Sequence, residues 1–364
     1  MIFRMGVKRS DWRLIVITVV VAAAAGTAHY ARLGGDVAPF VVSAIALALL
    51  ASLVGRSVEA LGDRLGAGAT GVVQSALGNL PELFVVLFAL RAKLYGVATA
   101  TIVGSILANV LLVLGLAFLF GGIKHGRQKF GNEAARTMSM LMVLSVAAML
   151  VPSLTSALGS AATKAALHER TLSIVVSVLL LGLFVASLPA SLRRQKTATG
   201  GETGDSAAAP EHSWPLGMAL AMLAITGLGA AFVSEWFVSA LQPAMSTLGI
   251  SEAFAGLVIV AIAGNAVENV VGIQLALKNQ SDYALSVILQ SPLQIALVVA
   301  PALVLLSPLV GASFTLVLSP LLIAVLIMAV VITVLVVLDG ESNWLEGATL
   351  VVLYGIIATA FWWG

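Results

Sequence analysis

Two carboxylates stand where carboxylates are costly. Glu82 lies in GNLPELFVVLFAL and Glu268 in AIAGNAVENVVGI, both within long apolar runs. A charge at the centre of a bilayer costs roughly 2.5–3.5 kcal/mol on insertion scales, so each acid needs neutralising. No Lys or Arg lies inside any of the long apolar runs. Protons or a mobile cation are left to do it, and both compete for the same oxygens. The plainer alternative is a protonated Glu that only packs helices.

The context of the acids repeats. Gly78-Asn79-x-x-Glu82 recurs as Gly264-Asn265-x-x-Glu268, and Ser105 recurs as Ser291, all at one offset of 186 positions. Inverted repeats around a midplane site are a mark of secondary transporters. The neighbours suit a hard cation such as calcium, which takes six to eight oxygens. Pro81 has no amide hydrogen and leaves the carbonyl of Leu77 without its helical donor. Gly78 and Gly264 permit close approach or local unwinding. Asn79 and Asn265 offer amide oxygens. The expected metal set is therefore Glu82, Glu268, Leu77, Gly78, Asn79, Gly264 and Asn265. Each Gly and Asn also has an ordinary reading as helix-packing or interhelical hydrogen-bond residue; the repeated context favours function.

Further polar residues lie nearby in sequence. Ser105, Asn109, Ser291 and Gln294 interrupt apolar helices, where they line an ion path, hold the glutamates, or fill small gaps between helices. For Asn109 and Gln294 taken singly the gap-filling reading is preferred. Glu59 and Glu235 are candidate proton acceptors on an access route. Glu59 reads equally well as a solvated residue at a helix end. Other chemistries lack their residues. There is no HExxH pair, phosphate-binding Gly loop or nucleophile elbow. Cysteine is absent, and the four histidines fall near span ends or in loops. The expectation is a transporter and not an enzyme, with no resident cofactor; no nucleotide-binding domain fits, so uphill transport must draw on an ion gradient.

The elements that position these residues follow from composition. Of 364 residues 60% are hydrophobic and 10% charged, against roughly 25% charged in soluble domains. Most of the surface must face lipid, and a net charge of +2 argues against a nucleic-acid partner. With about 20 apolar residues needed per crossing, eleven spans are expected, near 14–31, 38–56, 69–90, 95–121, 134–152, 171–192, 215–241, 252–277, 283–307, 313–338 and 345–363. They must be helices, because lipid satisfies no backbone group. The basic segment 1–13 precedes the first span without a clean cleavage site, so that run reads as a span and not a signal peptide. With the N-terminus in the cytoplasm, Lys and Arg divide fourteen inside to five outside, as the positive-inside rule requires. The polar stretch 193–213 separates the halves. The organisation is all-α and polytopic: 1–37 as basic segment and first helix, 38–192 as a five-helix repeat, 193–213 as cytoplasmic linker, and 214–364 as a second, inverted five-helix repeat. The plasma (inner) membrane is the expected location.

The stretches GNLPEL, ALRAKLYGV, GSILANVLLVLGLAFLFGG and KHGRQKF, with VSEWFV, LGISEAFAGLVIV, GNAVENV and QSPLQIALVVAP in the second half, resemble the calcium/proton (cation/proton) exchanger family of the calcium/cation antiporter superfamily. The resemblance runs from about residue 45 to near the end of the chain. It implies one plus five plus five spans, metal binding by Glu82 and Glu268 among backbone carbonyls, and exchange of cytosolic calcium for protons. The sodium/calcium branch places Ser or Thr between Gly and Glu; Asn79-Leu80-Pro81 and Asn265-Ala266-Val267 supply none, which favours protons as counter-ion. Three positions depart from the family: Asn269 where His is usual, Gln290 where Gly is usual, and Pro292 where Ser is common. Asn269 and Gln290 join the expected ion path or proton relay. Sodium or another divalent cation such as manganese is the alternative substrate, and a passive cation channel the alternative class.

Overall fold

The computed structural model describes residues 9–31, 34–65, 77–162, 164–199 and 214–364; within its helices the side chains of 59, 62–65, 132–134, 160–162, 188–199, 267 and 268 lie outside the description. Among the described residues nine helices are long and apolar enough to cross a membrane, ten if the bent pair Glu252–Gly264 and Asn269–Leu277 is one span. The remaining expected span, 69–90, falls partly outside the described residues, and its described part is the 12-residue helix Leu80–Arg91. Large apolar side chains such as Leu179, Val185, Ile225 and Leu335 are exposed along the helices, a surface fit for hydrocarbon and unfit for water.

Three departures from the expected spans have local causes. The stretch 252–277 is not one helix: it ends at Gly264, and Asn265 takes φ −90° and ψ 22° before a new helix starts at Ala266. The expected span 313–338 begins as a helix only at Pro320, capped by the Ser319 hydroxyl. The residues before it are not helical, and the amides of two of them are met by serines from other helices. Leu316 N donates to Ser173 Oγ (3.1 Å) and Leu318 N to Ser153 Oγ (2.9 Å). Non-helical backbone at membrane depth needs this kind of cover. The third departure is the helix Glu169–Thr199, which runs into the expected linker; residues 200–213 of that linker lie outside the described residues.

The sequence repeat is also a backbone repeat. Helix Leu80–Arg91 corresponds to Ala266–Leu277 at the same offset of 186, and Tyr95 to Ser281 at the next helix start. Among the described residues Lys93 and Asn279, again 186 apart, are the two non-glycine residues with positive φ, at 63° and 61°. The wide-turn π segments Ala108–Val113 and Ile295–Val299 also fall at matching positions.

By contacts the chain forms two compact units, and each draws on both sequence halves. One comprises Met1–Val85 with Gly182–Ala244, the other Val86–Leu181 with Met245–Gly364. In the first unit, Phe40 stacks on Phe237 with ring centroids 5.0 Å apart. Leu53, Leu61, Trp214 and Ala219 form a buried cluster. Beside it the buried Asp11 pairs with Arg56 and accepts from Trp214 Nε1 at 3.1 Å. The helix containing Arg56 extends to Leu65, so this arginine sits within a helix and not at its end.

In the second unit the Tyr95–His125 helix is the most buried of the spans. It runs alongside Glu252–Gly264 in the same direction, because Gly96 faces Glu252, Gly256 faces Val97 and Thr101, and Gly104 faces the backbone of Leu257. A Cβ at Gly104 or Gly256 would strike backbone atoms, so glycine sets this interhelical distance. The repeat-related helix Ser281–Val310 crosses in the opposite sense: Asn109 meets Ser291, and Gly131 at the far end donates to Asp282 Oδ1 at 2.5 Å. Equivalent helices of the two repeats are thus antiparallel.

Candidate functional site

Both Gly-Asn-x-x-Glu motifs sit where a helix starts. In the first unit, Gly78 and Asn79 form a turn and Glu82 lies in the first turn of Leu80–Arg91. Asn79 O accepts from Leu83 N at 3.1 Å. Glu82 is only 2% exposed. A buried carboxylate at a helix N-terminus is favoured electrostatically by the amides that point at it. Leu77 and Gly78 beside it are half-buried. In the second unit Glu268 is likewise the third residue of its helix; its side chain lies outside the described residues. Asn265 O accepts from Asn269 N at 3.0 Å, matching the bond at Asn79, and Gly264 is half-buried.

Around Asn265 the second unit gathers a polar cluster. Asn109 Nδ2 lies 2.9 Å from Asn265 Oδ1, 2.9 Å from Ser105 O and 3.2 Å from Ser291 Oγ. Ser291 Oγ donates to Asn265 Oδ1 at 3.0 Å, and Asn265 Nδ2 donates to Ala261 O at 2.9 Å. Asn109 and Asn265 are wholly buried, and Ser105 and Ser291 nearly so. Both lone pairs of the Asn265 amide oxygen are therefore engaged in this arrangement. Among the described residues, Asn109 Oδ1 and Ser105 Oγ have no hydrogen-bond partner, and they remain the acceptors open to a cation, a water or a proton. Leaving a buried acceptor unmet costs about 1–3 kcal/mol.

The structure brings together Ser105, Asn109, Asn265 and Ser291. Gln294 is buried on the same helix as Ser291, while Gln290 and Asn269 are half-buried. Pro292 lies inside the helix Ser281–Gln294 and denies Ile288 O its helical donor. Glu235 is exposed midway along Leu216–Leu248. Glu59 lies on Val37–Leu65, and its side chain is outside the described residues. No group of three or more acidic or histidine side chains comes together among the described residues.

Sequence reasoning missed Thr333. Its hydroxyl lies 3.3 Å from Val110 O, within the π segment, while also bonding Ala329 O at 2.7 Å. A π segment widens the helix and frees carbonyls, and the buried Thr333 covers one of them. Its signal in the sequence is a lone hydroxyl in an otherwise apolar span. The cap on the Glu268 helix was also missed: Lys124 Nζ and His125 Nε2 each lie 2.9 Å from Leu277 O, at the helix end where cations are favoured.

Many membrane helices, antiparallel repeats and a helix that starts at a Gly-Asn-x-x-Glu motif in each repeat define a polytopic membrane transporter. The chain belongs to the sodium/calcium exchanger protein family, whose model matches residues 36–192 and 218–363. It is 31% identical over 364 residues to the Ca(2+)/H(+) antiporter of Synechocystis sp., covering 96% of this chain and 97% of that one. It is 36% identical over 328 residues to the Ca(2+)/H(+) antiporter ChaA of Bacillus subtilis, covering 88% and 91%. The solved structure of native YfkE superposes with a TM-score of 0.78 at 32% identity, over 96% of this chain and 99% of that one.

Proposed function

We propose that this protein is a secondary antiporter that exchanges calcium for protons by alternating access, exporting calcium from the cytosol across the plasma (inner) membrane with its N-terminus inside. The reading rests on one observation above the rest: a carboxylate buried in the first turn after a Gly-Asn break, Glu82, with its repeat partner Glu268 at the same helical position. Sequence relatives named as Ca(2+)/H(+) antiporters along nearly their whole length support it.

The residues divide the work as follows. Glu82 and Glu268 either hold the cation or take up protons, so the two substrates exclude each other. The carbonyls around Leu77, Gly78 and Gly264 and the Asn79 amide supply neutral oxygens, which a hard cation accepts without further charge. Ser105 and Asn109 contribute the open acceptors of the second unit. Glu235, exposed partway along its helix, and Glu59 serve as proton acceptors on the access route, with Asn269, Gln290 and Gln294 bordering it. The only non-protein groups in this scheme are calcium and protons as substrates, in a lipid bilayer.

The test is transport in everted vesicles. An imposed proton gradient should drive calcium uptake, and Glu82→Gln or Glu268→Gln should abolish it. Uptake that survives both substitutions would sink the proposal. Replacing calcium by sodium or manganese in the same assay reads out selectivity, for which Asn269, Gln290 and Pro292 are the positions to vary. A conductance without coupled proton movement would identify a channel instead.

A further inference from the structure

The second helix break is held from outside its own repeat. Asn265 has non-helical backbone angles, and a break in a membrane helix is stable only if something else fixes it. Its own backbone bonds run along its own chain, from Asn265 N to Ala261 O and from Asn269 N to Asn265 O. They would be compatible with a range of bend angles. Its side chain bonds Ala261 O and Ser291 within its own repeat, and from the other repeat it is met by Asn109, 156 positions away on the Tyr95–His125 helix. The Asn109 amide nitrogen has two hydrogens and three oxygens within reach: Asn265 Oδ1, Ser105 O and Ser291 Oγ. Ser291 closes the cluster by donating to the same Asn265 oxygen. Three helices therefore meet at one buried amide.

We propose that Asn109 is the positioning residue of this break: by donating to Asn265 it sets where the helix carrying Glu268 begins. The amide is suited to this role because it donates in two directions and keeps its own oxygen free. Leu at the same position would match its bulk and donate nothing. Asn109 also lies within the π segment Ala108–Val113, a widened turn of the kind found at functional sites. A change in the bend at Asn265 would move the third residue beyond it, and the cation would feel that as lost affinity.

The transport arm of the test rests on the proposed role of Glu268; the structural arm does not. Asn109→Leu, Asn265→Ala and the double variant are reconstituted in proteoliposomes, and calcium KM and maximal rate are measured in each. Each single change should raise KM at least tenfold, and the double should be no worse than the worse single, because both remove one interaction. Multiplying effects in the double, or an unchanged KM with only a lower melting temperature, would overturn the proposal. In parallel, hydrogen exchange is followed at the backbone amides of 265–269. Asn109→Leu should speed it about tenfold or more, while the helix Pro320–Val337 stays as protected as before. Unchanged exchange at 265–269 would overturn the proposal on its own, even if wild-type protein carries no calcium. Should Asn109→Leu fail to fold, Asn109→Ser, too short to reach Asn265, gives the same comparison.

Discussion

Glu82→Gln exchanges one oxygen for an amide group and removes the charge while keeping the shape. In a carboxylate that binds a cation by charge, that change should be fatal to exchange yet mild for the fold. The expected outcome is loss of proton-driven calcium uptake with the melting temperature in detergent held within a few degrees. Glu82→Asp keeps the charge and withdraws it by one methylene, so exchange should persist with KM raised several-fold. Equal loss in both variants would argue for a packing role instead. The two acids were legible in the sequence because buried charge is rare and these two repeat. Asn109 was not. A single Asn in an apolar helix reads as gap-filler, and only the fold shows that it reaches Asn265 across 156 positions. Thr333 was hidden for the same reason: its partner, Val110 O, is a carbonyl that no sequence pattern reveals.

Between helices, glycine sets the spacing. Gly104 and Gly256 each lie against the backbone of the neighbouring helix, and overpacking at such a contact costs about 1–3 kcal/mol. Gly104→Val should lower the melting temperature, and Gly355→Val, where nothing lies within 4 Å of the added carbon, should not. The matched turn residues make a second test. Lys93 and Asn279 both hold positive φ, a region that costs most side chains roughly 1–2 kcal/mol but that Asn tolerates. Lys93→Gly should therefore stabilise the protein by about 1 kcal/mol, and Asn279→Gly by less; thermal unfolding of both variants checks the order. Helix positions were readable from apolar runs, and most expected spans have a helix in place. The break at Asn265 and the non-helical stretch before Pro320 escaped that reading, because hydropathy is blind to backbone conformation. Before Pro320 the missing helical bonds are replaced by serines of distant helices, Ser173 and Ser153; at Asn265 it is the side chain that a distant residue, Asn109, holds.

Across the molecule, the offset of 186 was visible as a motif and reappears in helix starts, positive-φ turns and π segments. The division into compact units was not visible, since each unit mixes both sequence halves. In the first unit Asp11, Arg56 and Trp214 join the N-terminal helix, the second helix and the start of the second half. Trp214→Phe removes the indole donor to a buried carboxylate and should cost about 1.5–3 kcal/mol, read by thermal unfolding, without changing which ion is carried. The central claim is that cation and protons trade places on two carboxylates. Calorimetric titration of calcium into purified protein, repeated in buffers of different ionisation enthalpy, counts the protons released as calcium binds. The account predicts proton release in the wild type at mildly acid pH, reduced in Glu82→Gln and in Glu268→Gln. Calcium binding with no proton release, or release undiminished in both variants, would contradict it.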